Sequence, residues 1–435
     1  MTTIQQVHTP PPVFVEPSDA LPIVSAAVCF RSGSAHDPEG KDGLGRIVAR
    51  MLRRGAHGYG AEQIEESIDA LGAEFAADVG VSSSTAHFEV IRRTLDPMVD
   101  LVSTLLARPA FDERELGRLL REAEAELIEA RDNDRGLASR AFRRMLFEGH
   151  PYGRRTSGKL ATLRGLGVAD VRAFYERHYT RANAVVIVSG DVTEAEGRAV
   201  AERLLASLPE GERIADPVPP PARRPGRHLV FVDKPDRSQT QMVIGGLGTD
   251  AHDPDHTPLV VANTVFGGTF TSRLMQEIRA KRGWSYGASS RVGFDRQRDA
   301  FTMWTAPKAT DAPACLALEL ELFHTFRDAG VTAAELEFVQ RYLVRSHAFD
   351  IDTARKRVHQ KLEAELYDLP SGYHERYVPD VEAVTLAAAN ASVQARLSED
   401  DLVIGVVGTH AEIGEGIAKA IPRLASVTVV PFDAE

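Results

Sequence analysis

The chain has 435 residues, which is too long for one ordinary hydrophobic core and predicts two domains or more. Hydrophobic residues make up 43% and charged residues 26% of the sequence, a composition typical of a soluble globular protein. The formal net charge of −11, with 62 acidic and 51 basic residues, argues against a nucleic-acid-binding protein.

Cysteine content and the N-terminal pattern bear on the cellular compartment. Cys29 and Cys315 lie far apart and cannot form a disulfide framework or a cysteine zinc site, which favours a reducing compartment. Residues 1–22 show no basic segment followed by an apolar one, and no apolar run approaches the roughly 18 residues that a membrane span needs. We therefore expect a cytoplasmic protein without a membrane segment, or a periplasmic one if the true N-terminus lies upstream of Met1.

In chain order, the hydrophobic pattern changes repeatedly between buried strands and amphipathic helices. It predicts strands at 22–32, 74–93 and 185–188, helices at 44–54, 61–71, 96–107, 112–131, 168–178 and 194–207, and a further periodic segment at 134–148. Residues 216–226, DPVPPPARRPG, contain five prolines. Such a segment sustains neither a helix nor a central strand, so it is predicted to be a linker.

Beyond this linker the pattern returns. The sequence AHDP at 35–38 recurs at 251–254, the glycine-terminated strand at 182–191 recurs at 400–409, and the Glu-Leu pair at 115–116 recurs at 335–336. The three repeats keep their order, and their offsets stay between 216 and 220 residues. We therefore predict a tandem duplication of one mixed α+β domain, with a first copy at 13–215 and a second at 227–435.

The second copy contains the most distinctive stretch, FGGTFTSRLMQEIRAKRGWSYGASS at 266–290. Gly267 and Gly268 permit positive φ or a close approach to another segment. Ser272 is the predicted N-cap of a helix that ends at Gly283, after which an extended segment begins.

Within this stretch, Arg279 and Tyr286 are seven residues apart, near the end of the helix and the start of the extended segment. A permanently charged fork of donors and a phenolic donor would therefore converge beside a glycine-rich backbone. Taken alone, the pattern is also that of an ordinary solvated surface arginine.

Two sets of motifs resemble those of the inverted-zinc-motif metallopeptidases, the family of pitrilysin, insulinase and mitochondrial processing peptidase. The first copy has G-S-x-x-D-x-x-x-x-x-G-L, an amphipathic helix, R-R-G, E-x-I-x-x-x-I-x-x-L-G and HPYG, in the order of that family's N-terminal domain. The stretch at 266–290 resembles the signature of its second domain. The resemblance covers residues 13 to 420, and the length matches members that work as pairs of two-domain subunits enclosing a chamber.

The resemblance also shows what is missing from this chain. The family's catalytic helix carries H-x-x-E-H, whose histidines bind zinc and whose glutamate takes a proton from the metal-bound water. Here the helix is GLGRIVARM, with Arg46 and Arg50 at the histidine positions and Ala49 at the glutamate position. Glu126 matches the third zinc ligand. Arginine has no lone pair to give a metal, so we expect this chain to bind no zinc and to be inactive by itself.

In the second domain of the family, an Arg and a Tyr with the spacing of Arg279 and Tyr286 hold the substrate backbone and stabilise the oxyanion. The resemblance implies the same substrate-binding roles here, and places Gly267 and Gly268 in a glycine-containing loop near the chamber mouth. We therefore predict a non-catalytic subunit that binds peptide substrates and pairs with a homologous subunit carrying H-x-x-E-H and zinc. The alternatives are a catalytically dead scaffold or peptide-binding pseudoenzyme, and a self-sufficient zinc peptidase with an unrecognised ligand set.

Overall fold

The computed structural model describes residues 10–214 and 218–434, which form two compact units. Unit 1 contains the described residues up to Leu127, those from Arg154 to 214, and Phe349–Leu369. Unit 2 contains Ile128–Gly153, Val218–Ala348 and the described residues from Pro370 onward. The N-terminal, linker and domain predictions fall in part on residues 1–9, 215–217 and 435, which lie outside the described residues.

Unit 1 is built on a mixed sheet with the strand order β1-β5-β2-β4-β3. β1 and β5 are parallel, and the other neighbours are antiparallel. The predicted strand region at 74–93 is two strands, because the chain reverses at Gly80, whose N–H donates to the Ser83 carbonyl. The strands are β1 (Val13–Pro17), β2 (Ile23–Phe30), β3 (Glu74–Val79), β4 (Ser84–Ile91) and β5 (Ala184–Gly190).

Helices cover one face of this sheet and enclose the main core of the unit. Alternate residues of β2, from Val24 to Phe30, point into this core together with the apolar sides of the helices. The helices lying wholly or mainly in unit 1 are α1 (Leu44–Met51), α2 (Ala61–Ala70), α3 (Leu95–Ala107), α4 (Glu113–Glu129), α6 (Leu160–Arg164), α7 (Val168–His178) and α8 (Glu194–Ser207).

Unit 2 repeats the topology of unit 1, which confirms the predicted α+β tandem duplication. Its sheet has the order β11-β6-β10-β7-β9-β8, which without β11 reproduces the order of unit 1 strand for strand. β6 and β10 are parallel, as their counterparts β1 and β5 are. The strands are β6 (Arg227–Asp233), β7 (Gln241–Leu247), β8 (Ala288–Phe294), β9 (Arg298–Thr305), β10 (Leu402–Gly408) and β11 (Leu424–Pro431).

The core of unit 2 lies between this sheet and the helices on one face. α9 (His256–Asn263) continues directly into a wider, π-helical turn at Thr264–Gly268, and a second such turn spans Met275–Ala280. The remaining helices on this face are α10 (Ala312–Ala329), α11 (Ala333–Ser346), α13 (Tyr377–Ala383), α14 (Leu386–Arg396) and α15 (His410–Lys419).

The opposite face of each sheet is covered by a helix from the other half of the sequence. In unit 1, α12 (Ala354–Leu366) packs its Val358 and Leu362 against β2 and β5. In unit 2, α5 (Asp134–Leu146) approaches β10 so closely that a Cβ at Gly405 would lie 2.9 Å from the Ala138 carbonyl oxygen. Each unit therefore differs from the contiguous halves, predicted as 13–215 and 227–435, by a reciprocal exchange of equivalent segments.

Unit 2 contains a buried carboxyl group that predicts a pH-dependent stability. Glu319 is fully buried on α10, its Oε2 accepts a hydrogen bond from Thr305 Oγ1 at 2.8 Å, and its Oε1 has no partner among the described residues. Burial raises the pKa of Glu319 to about 8. The folded state therefore holds this proton more tightly than the unfolded state, and stability that is present below the unfolded pKa is lost as the pH rises toward 8.

We expect Glu319→Gln to remove this loss. Between pH 5 and pH 8, the free energy of unfolding of the original chain should fall by about a few kcal/mol relative to that of the variant. Each pKa unit of difference between the folded and unfolded states corresponds to about 1.4 kcal/mol. Urea unfolding of both proteins across this range measures the difference, and other titrating groups cancel in it. Parallel pH profiles would show that Glu319 does not titrate in this window.

Candidate functional site

Helix α1 carries the positions that match the family's zinc motif. It begins after Gly43, whose φ is 98°, and the Asp37 carboxylate accepts hydrogen bonds from the N–H groups of Gly43 (2.7 Å) and Gly45 (2.8 Å). Burial raises the pKa of Asp37 to about 7, and the two backbone hydrogen bonds act against this shift. Asp37 thus occupies donors of the first turn and fixes the start of α1.

One side of α1 is buried, and the other side meets α4. Arg46 Nη2 lies 2.9 Å from Glu126 Oε2, and Arg50 Nη2 lies 2.9 Å from Glu126 Oε1. The structure therefore brings Arg46, Arg50 and Glu126 together, as an ion-paired cluster at the partly exposed surface of unit 1. Ala49 is buried in the core.

The zinc site of the family does not fit these residues. Both oxygens of Glu126 are engaged by guanidinium groups, and the two arginines would repel a dication. In the described ranges, no group of three or more histidine, cysteine, aspartate or glutamate side chains is arranged to hold a metal ion. Within the same residues, no helix has the length and apolar character that crossing a membrane demands.

The second set of predicted residues lies in unit 2, on the helical segment before β8. Its turn at Met275–Ala280 is π-helical, and the Lys281 N–H donates to the Gln276 carbonyl at 3.0 Å. Such turns are rare and often lie at functional sites. Gly283 ends the helix as predicted: its φ is 65°, and its N–H donates to the Arg279 carbonyl at 3.0 Å.

The predicted cap at the other end of this helix is not formed by a side chain. Ser272 directly precedes the first helical residue, but its buried hydroxyl has no hydrogen-bond partner among the described residues. The anchor is instead Arg273, which binds Glu335 on α11 through Nε (2.8 Å) and Nη2 (2.7 Å). The side-chain hydrogen bonds from Arg273, more than any other contact, hold the pKa of Glu335 down to about 2.

Arg279 and Tyr286 come together as predicted, and a third residue joins them. The guanidinium carbon of Arg279 lies 4.8 Å from the centre of the Tyr286 ring and 4.5 Å from the centre of the Phe270 ring. Tyr286 is 89% and Phe270 is 70% exposed. Each cation–π contact at such an exposed site is worth about 0.5–1 kcal/mol, which restricts the orientation of the guanidinium group.

The donors of Arg279 remain available for a ligand. No hydrogen bond or ion pair of its guanidinium group occurs within the described part of the chain. The carboxylate on the same helix, Glu277, is instead bound by Lys281 and Arg282, which hold its pKa below the usual range. An unpaired, oriented fork of donors between exposed rings can bind a carbonyl oxygen or an anion.

Gly267 and Gly268 are not in a loop, contrary to what the resemblance implied. They are the last two residues of the π-helical turn at Thr264–Gly268. A Cβ at Gly267 would lie 2.4 Å from the backbone nitrogen of Ser290, so glycine is required for this turn to pack against β8. Neither glycine has positive φ. Their predicted substrate contact remains a prediction.

Sequence reasoning missed Phe270. The available signal was a single aromatic residue in the otherwise small and polar run GGTFTS, a pattern that neither helical nor strand periodicity explains. Large apolar residues in such runs are often incidental at a protein surface, and only the contact with Arg279 distinguishes this one.

Known proteins resemble this chain over both units. The family model described as "Insulinase (Peptidase family M16)" matches residues 13–159, and the model described as "Peptidase M16 inactive domain" matches residues 166–343. An "Uncharacterized zinc protease" of Rickettsia bellii is 28% identical over 301 residues, covering 68% of this chain and 71% of its own. "Non-peptidase homolog YmxG" of Helicobacter pylori is 20% identical over 398 residues, covering 91% of each chain.

A solved structure extends the similarity to the fold. The crystal structure of a peptidase M16 inactive domain from Pseudomonas fluorescens superposes with a TM-score of 0.84 at 26% sequence identity. It covers 91% of this chain and 95% of that chain.

Proposed function

Because the chain belongs to peptidase family M16, the insulinase family, as an inactive member, we propose that it is the non-catalytic, substrate-binding subunit of a heterodimeric zinc peptidase. The observation that carries the proposal is the contrast between the two sites. Arg46 and Arg50 occupy the zinc positions and are ion-paired with Glu126, whereas the guanidinium group of the half-buried Arg279 has no ion pair or hydrogen bond within the described residues.

In this proposal, Arg279 and Tyr286 act on the peptide backbone of the substrate. The guanidinium group donates to the carbonyl oxygen of the scissile bond, and the phenol adds a second donor close to it. Donors that are already oriented stabilise the negative charge that develops on this oxygen when water attacks, at little cost in reorganisation. The zinc ion, its ligands and the proton-accepting glutamate would belong to a homologous subunit carrying H-x-x-E-H.

A catalytically dead scaffold is the main alternative. The ion-paired cluster on α1 supports it equally well, since a scaffold also has no use for zinc ligands. It gives no account of Arg279, because an arginine kept only for solubility has no need of two flanking aromatic rings. The exposed Tyr286 and Phe270 therefore favour the substrate-binding subunit.

The test is capture of the tagged chain from its native cells, followed by mass spectrometry of what copurifies. We expect a stoichiometric partner of similar length that carries H-x-x-E-H, and peptidase activity in the mixture that neither chain has alone. The purified chain with added zinc should leave unstructured peptides intact. Recovery of the chain only with itself would favour the scaffold, and chelator-sensitive cleavage by the purified chain would establish a self-sufficient peptidase.

A further inference from the structure

We infer that Phe270 is a specificity-determining residue of this site and selects peptides with an aromatic or large aliphatic side chain next to the carbonyl group that Arg279 binds. The inference rests on the proposed function, because it assumes that Arg279 binds a peptide carbonyl. It adds a substrate class and a residue that the spacing of Arg279 and Tyr286 does not supply.

The position of Phe270 gives its ring two separate contacts. One part of the ring lies against the Arg279 guanidinium group, 4.5 Å from its carbon atom. The rest is open, since the side chain is 70% exposed and does not belong to the hydrophobic core of unit 2. A peptide whose carbonyl oxygen reaches the edge of the guanidinium group therefore brings its neighbouring side chain to the free surface of this ring.

The backbone around Phe270 holds the ring near Arg279. Gly267, three residues earlier, packs against β8, and Arg273, three residues later, binds Glu335 through Nε and Nη2. The connecting segment is therefore anchored on both sides of Phe270. An apolar surface held beside a few oriented donors is the usual composition of a site that binds a specific ligand.

The chemistry of the ring selects the class of side chain. Aromatic side chains gain from offset or edge-to-face contact with Phe270, and large aliphatic ones gain from burying apolar area. An alanine or glycine in the peptide leaves the ring exposed. An acidic side chain competes with the carbonyl group for Arg279 and gains nothing from the ring.

The test compares two fluorescein-labelled, unstructured peptides that are identical except for one phenylalanine or alanine. Their binding to the full chain is measured by fluorescence anisotropy. We expect the phenylalanine peptide to bind about five- to tenfold more tightly. Phe270→Ala should remove this preference while changing the affinity for the alanine peptide less than twofold, and Phe270→Tyr should retain it. Phe338→Ala, which removes another exposed phenylalanine of unit 2, is the matched control and should change nothing.

Arg279→Ala separates this inference from the proposed function. Suppose that Arg279→Ala binds both peptides more weakly while Phe270→Ala still prefers the phenylalanine peptide. This result would overturn the role of Phe270 and leave the proposed function standing. An equal loss for both peptides in Phe270→Ala would make Phe270 a positioning residue without specificity, which also overturns the inference. Unchanged binding of both peptides to Arg279→Ala would remove the proposed function as well.

Discussion

Replacing Arg279 by alanine is expected to lower kcat of the proposed peptidase complex about 10²–10³-fold, the usual effect of deleting one donor that stabilises an oxyanion. The folded chain should tolerate the change, because the half-buried side chain makes no ion pair or hydrogen bond with the described residues. Its loss removes the cation–π contacts with Phe270 and Tyr286 from the free subunit. Assembly with the partner, measured by size-exclusion chromatography, should therefore remain intact.

Two further variants make the result specific. Arg279→Lys keeps the charge but loses the planar fork, so turnover should fall between that of the original complex and that of Arg279→Ala. Arg282→Ala removes a neighbouring arginine whose guanidinium group binds Glu277 and should change kcat less than twofold. kcat and KM on an unstructured peptide distinguish the cases. Full turnover by Arg279→Ala in an intact complex would favour the scaffold.

The sequence predicted the fold through two independent signals. Hydrophobic periodicity placed β2, β5 and most helices of the first half, and the repeated offsets predicted a second unit with the same topology. The exchange of α5 and α12 could not be predicted in this way. Periodicity shows which side of a helix is apolar but not which sheet covers it, and both sheets offer an equivalent apolar face.

The candidate site was predictable where it depends on spacing. Arg279 and Tyr286 are joined by a short helix end whose glycine cap was evident from the sequence, so their convergence followed. The π-helical turn was not predictable, because a single turn whose hydrogen bonds span one residue more than in an α-helix leaves little trace in a short apolar pattern. The Arg273–Glu335 anchor joins residues that are 62 positions apart, and only the folded chain shows that they meet.

Replacing Arg46 and Arg50 by histidine is expected to create a zinc site on α1. Nitrogen atoms of both arginines lie 2.9 Å from oxygens of the same carboxylate. The side chains at positions 46 and 50 on α1 therefore converge on Glu126 of α4. Histidine at both positions provides two neutral imidazoles on one helix face, and Glu126 supplies an oxygen ligand. We expect one equivalent of zinc per chain with a Kd on the order of 10⁻⁶ M or tighter, measured by isothermal titration calorimetry and metal analysis after dialysis.

The third ligand and the missing base can be tested on the same variant. Adding Glu126→Ala should weaken zinc binding at least tenfold, because two imidazoles then remain. The double histidine variant should still hydrolyse no peptide, since Ala49 has no group to accept a proton from the zinc-bound water. Ala49→Glu is not expected to restore the proton acceptor by itself, because position 49 is buried and a carboxylate there must be desolvated.

Failure of the folded double variant to bind zinc would show that α1 and α4 no longer hold these positions at ligand distance. Zinc binding without activity would instead show that α1 and α4 still hold these positions at ligand distance, and that the side chains of Arg46 and Arg50 alone prevent zinc binding. Restoring peptidase activity would then require a proton-accepting side chain at position 49, with space to hold it, in addition to the bound metal. The two losses are physically separate, because Arg46 and Arg50 exclude the ion by charge whereas Ala49 excludes the base by packing. The proposed substrate binding by Arg279 depends on neither the metal nor the base, and so it is compatible with a chain that lacks both.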